Sequence, residues 1–355
     1  MTPPLFIVVT DAHFFPGALV AVASILAYHS TARIVVVESG ILGKKLSGCQ
    51  KSMLKALGAE VDETGVYGQG DRKQGAWELK AYAAERYADQ APVIVGIDAD
   101  CTLCGPVDDI LLQCERTGEF LGGKDGDGVV YDKSYEPYGF PVPARNDAYM
   151  STSLYFCKTT QIAKEVLAEW ADCCAKSVFG SNGIFHGHGD QGVLNAILYK
   201  RRADVSVRLL ENDLWSQHWV YWQRPLEIRD GRLFNLTLQK HQRSLHGSGG
   251  EKPWDLSYRA RLEKYPHVQV SYAWFLAFLE RAWKMAGTDP AKTLEVQSQH
   301  LIRDLDLYRG TIEQLVLDGP LPVLPGQPLV KRAFRQGLSK KKRVDEQVQP
   351  AAHES

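Results

Sequence analysis

Short apolar runs alternate with segments of helical spacing in the first part of the chain. The runs are rich in Val and Ile, as in LFIVVT at residues 5–10, and have the length of buried strands. Strands are predicted at residues 5–10, 34–38, 92–97 and 120–123, and helices at 17–28, 44–57, 76–87 and 106–110. Helices that follow strands in this order predict an α/β fold, a Rossmann-like and mostly parallel sheet flanked by helices.

The pattern changes beyond these elements. Residues 126–147 are rich in Gly, Pro and Asp and predict a long loop, which in a compact domain usually serves binding or gating. Helical periodicity returns at 272–285 and 293–308, and a proline-punctuated stretch follows. We therefore expect an α/β domain over residues 1–256, a helical appendage over 257–317, and a Pro-rich linker with a basic tail over 318–355.

The basic tail has two interpretations. Residues 331–343 combine Lys and Arg with Phe334 and Leu338. Such a segment suits peripheral contact with an anionic membrane surface. A disordered, solubilising tail is the alternative.

The charge balance excludes one broad class of partner. The chain carries 41 Lys and Arg against 42 Asp and Glu, whereas proteins that coat nucleic-acid phosphates are strongly basic. No apolar run approaches the length of a membrane span, and residues 1–4 lead directly into a strand without a signal peptide. We expect a cytoplasmic protein, peripheral on the inner face of the membrane if the tail binds there.

The cysteines fit the same compartment as free thiols, because their number, 7, is odd and two of them are adjacent. Cys101 and Cys104 have the spacing of a zinc-binding pair. A structural zinc site needs a second pair, for which only His186 and His188 are close enough in sequence. Those two histidines also suit acceptor binding or, as the simpler interpretation, a Gly-flanked loop.

Two carboxylates follow the strand at 92–97. Asp98 and Asp100 are spaced i, i+2, at the sheet edge where open α/β folds place their ligands. Neighbouring carboxylates repel each other unless a cation or a shared proton relieves them, and Mg²⁺ or Mn²⁺ favours oxygen ligands. The pair therefore indicates a divalent metal site, with a solvated turn as the alternative.

A second group of chemically active residues lies at SLHGSGGEKPW, residues 244–254. His246 offers a ring nitrogen to a metal, and Gly249 and Gly250 offer bare backbone N–H groups to phosphate oxygens. Lys252 offers an ammonium to the same anion. These groups complement a metal held by the two carboxylates, and a surface turn is the alternative.

Four segments together resemble the glycogenin-like family of retaining, metal-dependent GT-A glycosyltransferases, which includes bacterial lipooligosaccharide galactosyltransferases. They lie in the family's order: VTDA through GALV and Ser24 at residues 9–24, IDAD at 97–100, GDQGVLN at 189–195, and His246 through KPW at 252–254. The His-x-x-Gly-x-x-Lys-Pro-Trp pattern is the most specific of them. The resemblance implies the GT-A fold.

The resemblance also implies a donor and a metal. Asp98, Asp100 and His246 would hold Mn²⁺ or Mg²⁺ against the diphosphate of a nucleotide sugar, most simply a UDP-hexose. The residues implied to contact the donor are Thr10, Asp11, Phe14, Lys80, Asp125, Ser151, Gly249, Gly250 and Lys252.

Some of the residues implied to contact the nucleotide sugar have alternative interpretations. Thr10 and Asp11 match positions that contact uridine. Phe14 lies where a ring can stack on the base, although Phe15 could serve instead. Lys80 could touch phosphate or sugar, or lie on a solvated helix face. Asp125 matches a sugar-contacting aspartate, with Asp127 as its rival in an Asp-Gly-Asp turn.

The catalytic candidates lie in the third segment. Asp190 would lie below the anomeric carbon, with Gln191 beside it as a positioning amide; a helix N-cap is the alternative, or an additional, role for Asp190. Gly192 matches the glycogenin version of this motif. The family's Asn-Ser-Gly is replaced here by residues 150–152 (MST), which removes an amide and leaves the donor sugar open.

We therefore expect a retaining, metal-dependent hexosyltransferase with a saccharide or lipid-linked acceptor. A catalytically silent nucleotide-sugar-binding protein is an alternative. So is a metal-dependent nucleotidyltransferase, although residues 10–17 lack the Lys or Arg which that class needs after its first strand. An aromatic cluster suits either an acceptor platform or core packing: Trp215, His218, Trp219, Tyr221 and Trp222.

Overall fold

Strands and helices alternate along the first half of the chain. The computed structural model describes residues 3–39, 45–63, 76–117, 119–125, 146–176, 189–215, 217–218, 225–247, 251–265, 268–294 and 298–315. The strands are β1 (Leu5–Thr10), β2 (Arg33–Glu38), β3 (Glu60–Asp62), β4 (Val93–Asp98), β5 (Cys101–Leu103), β6 (Phe120–Lys124), β7 (Met150–Lys158), β8 (Val207–Leu210), β9 (Gln217–His218), β10 (Leu226–Arg229), β11 (Arg232–Asn235), β12 (Lys240–His241) and β13 (Ser244–His246). The helices are α1 (Phe15–Tyr28), α2 (Gly48–Ala56), α3 (Ala76–Tyr87), α4 (Asp108–Thr117), α5 (Gln161–Lys176), α6 (Asp190–Lys200), α7 (Asn212–Trp215), α8 (Tyr258–Lys264), α9 (Gln269–Ala286), α10 (His300–Leu307) and α11 (Arg309–Ile312).

The main sheet has seven strands in the order β3-β2-β1-β4-β7-β6-β8. Only β7 runs antiparallel to its neighbours, β4 and β6, and the other pairs are parallel. There are also two three-stranded sheets, β10-β11-β12 and β5-β13-β9. The predicted α/β fold with a mostly parallel, helix-flanked sheet is confirmed.

The strands are apolar on both sides because helices cover both faces of the sheet. Along β1, Phe6 and Val8 pack with α1, α2, α4 and α9. Leu5 and Ile7 face the other way and pack with α3, α5 and α6.

The helices after Trp254 share the first of these cores. Phe278 of α9 packs on Tyr28 of α1 with ring centroids 6.4 Å apart, and Phe275 packs on Trp254 at 5.9 Å. The segment expected as a helical appendage therefore contributes buried side chains beside the sheet. None of the helices in the described ranges combines the length and the apolarity needed to cross a bilayer.

Some helix boundaries differ from the sequence prediction for identifiable reasons. The second helix begins at Gly48, not at residue 44, because Ser47 caps it in a reciprocal capping box with Gln50. The helix expected over 106–110 continues to Thr117. The last long helix, expected from residue 293, begins at His300, after a short 3₁₀ turn at Pro290–Lys292.

Candidate active site

Chain topology brings the two acidic residues and the distant histidine together. Asp98 is the last residue of β4, and Asp100 lies in the turn before β5. Strand β13 pairs antiparallel with β5 so that His246 lies opposite Cys101. The backbone N–H of Gly247 donates to the Asp100 carbonyl at 2.6 Å, which fixes the loop against the turn.

Three ligand atoms converge at this point. His246 Nε2 lies 3.8 Å from Asp98 Oδ2 and 3.5 Å from Asp100 Oδ1. One ligand atom from each residue lies within 4.8 Å of the others, and the described residues contain no other such group. Ligands on opposite sides of one Mg²⁺ are about 4.2 Å apart, since each bond is about 2.1 Å. The three side chains fit a divalent cation after a small closure.

Each carboxylate also holds a lysine through its other oxygen. Lys80 Nζ lies 2.7 Å from Asp98 Oδ1, and Lys252 Nζ lies 2.6 Å from Asp100 Oδ2. Both lysine side chains are only 12% exposed. The lysines therefore balance the charge of the two partly buried carboxylates, and the carboxylate oxygens nearest His246 stay turned towards the imidazole.

These contacts shift the protonation of the group. Burial raises the pKa of Asp98. The positive charge of Lys80 opposes this increase, and the negative charge of Asp100 adds to it. Burial acts the same way on Asp100, but His246 and Lys252 outweigh it and hold its pKa well below the usual range. Burial disfavours the charged form of Lys80, yet Asp190 and Asp98 outweigh this and raise its pKa.

Lys80 links the cluster of Asp98, Asp100 and His246 to Asp190. Its ammonium lies 3.3 Å from Asp190 Oδ2 and donates to the Thr152 carbonyl and hydroxyl, each at 3.4 Å. The interpretation of Lys80 as part of a solvated helix face is therefore wrong. Lys80, a largely covered lysine on α3, joins carboxylates from β4 and α6.

Asp190 is not the N-cap of α6. Gly189 occupies the cap with a φ of 54°, a conformation that favours glycine, and Asp190 is the first helical residue. Its carboxylate accepts from the Thr152 hydroxyl at 3.3 Å, and its carbonyl accepts from Trp170 Nε1 at 2.9 Å. The acidic side chain is thus directed towards Lys80 and Thr152.

Both ends of the Gln191 amide are engaged. Gln191 Oε1 accepts from the Thr152 N–H at 3.0 Å, and Nε2 donates to Asp125 Oδ2 at 2.6 Å. Asp125 follows β6, so this side chain ties together β6, β7 and α6. The structure brings Asp125, Gln191 and Asp190 to one edge of the sheet.

The residues expected at the uridine lie at the end of β1. Thr10 and Asp11 are buried, and Asp11 Oδ1 accepts from the Phe14 N–H at 2.9 Å. Phe14 is partly buried, with Lys252 Nζ 5.5 Å from its ring centroid. Phe15 is fully buried in the core, which leaves Phe14 as the aromatic candidate.

Ser151 has a local partner: its hydroxyl lies 2.9 Å from that of Ser153. Its neighbour Thr152 touches Lys80, Asp190 and Gln191, and the sequence analysis did not select it. The sequence signal that could have indicated Thr152 is its hydroxyl, since the family's Asn-Ser-Gly motif has glycine at this position.

Sequence analysis also missed Asn195. This buried amide accepts from the Met150 N–H and donates to the Met150 and Gln191 carbonyls, each at 2.8 Å. An Asn amid the apolar face of α6 was the signal.

Several predicted residues lie outside the described ranges: Asp127, His186, His188, Trp219, Tyr221, Trp222, Gly249, Gly250 and the tail at 331–355. Their roles stay predictions. Trp215 is buried against Phe156, with ring centroids 6.0 Å apart, which supports core packing for this member of the aromatic cluster. Cys49, Cys101, Cys104, Cys114 and Cys157 are free thiols.

Comparisons with known proteins find similarity in structure alone. No family model matches the chain, and no curated protein matches it in sequence. It is similar to the apo bifunctional glycosyltransferase WbbM, at 16% identity and a TM-score of 0.49 over 81% of this chain; the match spans about half, 52%, of the WbbM chain. It is also similar to galactosyltransferase LgtC in complex with donor and acceptor sugar analogues, at 13% identity and a TM-score of 0.49 over 86% of this chain and 99% of LgtC.

A further match is the apo-form glycosyltransferase GlyE of Streptococcus pneumoniae TIGR4, at 13% identity and a TM-score of 0.46, over 84% of this chain and 66% of that one. Each of the three is described as a glycosyltransferase. At such identity and with TM-scores below 0.5, the likeness carries no argument about chemistry, which has to follow from this chain's own side chains.

Proposed function

We propose that this chain is a retaining, metal-dependent glycosyltransferase that moves a hexose from a nucleotide sugar, UDP-linked, to a saccharide or lipid-linked acceptor. The observation that carries the proposal is the convergence of Asp98, Asp100 and His246 beside Lys252, with Asp190 across Lys80. Such a site combines ligands for a metal ion, a lysine ammonium that can bind phosphate, and the buried carboxylate of Asp190.

The proposed roles follow from charge. A divalent cation held by Asp98, Asp100 and His246 would neutralise the charge that builds on the departing diphosphate. Lys252, beside Asp100, would offer its ammonium to the same diphosphate. Asp190 would lie near the anomeric carbon, where a carboxylate steadies positive charge as the bond to the diphosphate lengthens.

The first experiment tests the reaction class. The purified chain is incubated with each of several UDP-hexoses and Mn²⁺ or Mg²⁺, and free UDP is measured. Asp98→Asn and Asp100→Asn should each lower the hydrolysis rate at least about a hundredfold, the scale of losing stabilisation of developing charge. Asp89→Asn is the matched control, because Asp89 is an exposed carboxylate, 81% accessible, outside the site.

Three outcomes would contradict the proposal. Full turnover in EDTA would remove the metal from the mechanism. Binding of UDP and Mn²⁺ without hydrolysis or transfer would indicate a silent binding protein. Formation of a UDP-sugar from UTP and a sugar phosphate would indicate a nucleotidyltransferase.

The second experiment tests retention. NMR of a glycoside made from an α-linked UDP-hexose should show an α anomer, and a β anomer would mean inversion. Asp190→Asn should lower turnover strongly and leave UDP affinity nearly unchanged, since in this proposal its carboxylate would lie with the sugar and away from the nucleotide. Loss of UDP binding in a folded Asp190→Asn variant would assign the residue to the scaffold.

A further inference from the structure

Thr152 lies where the pairing of β7 changes register. Strand β4 pairs with β7 as far as Ile97 opposite Leu154. On the other side, Gly122 of β6 lies opposite Tyr155 and Lys124 opposite Met150, with a register irregularity between them. Residues 151–153 fall within this irregularity and are buried. Bulges of this kind re-aim side chains beside functional sites.

Every polar atom of Thr152 is used, each on a side chain of the candidate site. Its N–H donates to Gln191 Oε1 at 3.0 Å, and its carbonyl accepts from Lys80 Nζ at 3.4 Å. Its hydroxyl accepts from Lys80 at 3.4 Å and donates to Asp190 Oδ2 at 3.3 Å. One residue thus contacts the lysine, the carboxylate and the amide.

The direction of these hydrogen bonds is fixed by chemistry. An ammonium only donates, and a carboxylate only accepts, so the Thr152 hydroxyl hydrogen must point to Asp190. The residue is 2% exposed, so water does not compete freely for its hydroxyl. The hydroxyl therefore holds the Asp190 carboxylate in one orientation.

The lysine partner of Asp190 is shared, because Lys80 also pairs with Asp98. Among the described residues, Thr152 and Lys80 are the contacts of the Asp190 carboxylate, both through Oδ2. Of the contacts made by the described residues, losing the hydroxyl would leave only the shared ammonium to orient the carboxylate.

We infer that Thr152 is a positioning residue, which sets Asp190 through its hydroxyl and Gln191 through its backbone N–H. The inference rests on the proposed function for its effect on transfer. A glycine at this position would supply the same backbone groups but no hydroxyl, so the link to Asp190 is a property of this chain.

The test compares Thr152→Val with Thr152→Ser. Valine keeps the shape and the backbone N–H and removes only the hydroxyl, so kcat should fall about tenfold or more with KM for the UDP-hexose unchanged, the scale of one hydrogen bond to a charged group. Serine should restore kcat to within about threefold of wild type, because it returns the hydroxyl. Thr159→Val is the matched control. It removes a partly buried hydroxyl that donates to the Ala91 carbonyl, one residue past the far end of β7.

A second measurement works without activity. Urea unfolding of Thr152→Val, Asp190→Ala and the double variant should show that the double variant loses less stability than the two single losses added together, because each substitution removes one side of the same hydrogen bond. Additive losses would overturn the inference, as would wild-type kcat in Thr152→Val. If the wild-type chain transfers no sugar, the proposed function fails, and the unfolding cycle still decides whether Thr152 holds Asp190.

Discussion

The ammonium of Lys252 lies 2.6 Å from Asp100 Oδ2, although the two residues are 152 positions apart in the chain. The same ammonium donates to the Gly247 carbonyl at 2.6 Å. Lys252 therefore joins the backbone of Gly247 to the carboxylate of Asp100. This contact places a positive charge next to Asp100.

Lys252→Met should separate the two effects of this charge. Methionine keeps an apolar side chain beside Phe14 but makes the acidic site more negative, so Mn²⁺ affinity should be equal to or higher than wild type. Turnover should fall about tenfold or more, because a donor for the developing phosphate charge is lost. Calorimetric titration with Mn²⁺ and UDP-hexose hydrolysis measure the two effects, with Lys164→Met on α5 as control. Weaker Mn²⁺ binding would mean that Lys252 mainly orients Asp100.

Gln191→Glu tests the pairing of Gln191 with Asp125. The substitution places a carboxylate oxygen where an amide now donates at 2.6 Å to Asp125 Oδ2. The free energy of unfolding near pH 7 should fall by about 1–3 kcal/mol, the scale of a buried polar group that loses its partner. Urea unfolding measures this change. Adding Asp125→Asn should restore much of the loss, because asparagine can donate to the new carboxylate, and an unstable double variant would contradict the pairing.

Gly17→Ala tests the close approach of α1 to the acidic turn. A Cβ at Gly17 would lie 2.3 Å from the Ala99 carbonyl oxygen and 2.5 Å from the Trp254 ring. The variant should lose about 1–3 kcal/mol of stability, the usual scale of overpacking. Gly48→Ala is the control, since nothing lies within 4 Å of its added Cβ. Equal melting temperatures for the two variants would contradict the close contact.

His29 should make the stability of the fold depend on pH. Burial lowers its pKa from the ordinary 6.5, against the opposing effect of Asp108. The imidazole Nε2 accepts from the Val107 N–H at 3.1 Å, which requires the neutral ring. The unfolded chain therefore binds more protons below about pH 6.5, so this contribution is complete above that pH and is lost as the pH falls.

The measurement is the melting temperature between pH 7.5 and 5.5. The melting temperature of wild type should fall more over this pH range than that of His29→Gln, because glutamine can accept a hydrogen bond from Val107 but does not titrate. Parallel pH profiles for the two proteins would show that other groups cause the loss.

The contribution of the sequence is clearest at β1 and β4. Their apolar runs are buried on both faces, so the local pattern was enough to predict the strands and the sheet. The same locality explains Asp98 and Asp100, because the last residue of a strand and the turn that follows it must lie at the carboxyl edge of the sheet in an α/β fold. Placing His246 beside them needed a resemblance to known motifs, since no local pattern pairs β13 with β5.

Only the tertiary structure decided how the charges are shared. Whether Lys80 meets solvent or Asp190 depends on the packing of α3 against α6, and the engagement of both ends of Gln191 depends on the irregular register of β7. Hydrophobic periodicity records which side of an element is buried, and it carries no information on which buried polar groups meet across elements. Those meetings are set by long-range register, and at this site they place Thr152 between Lys80 and Asp190.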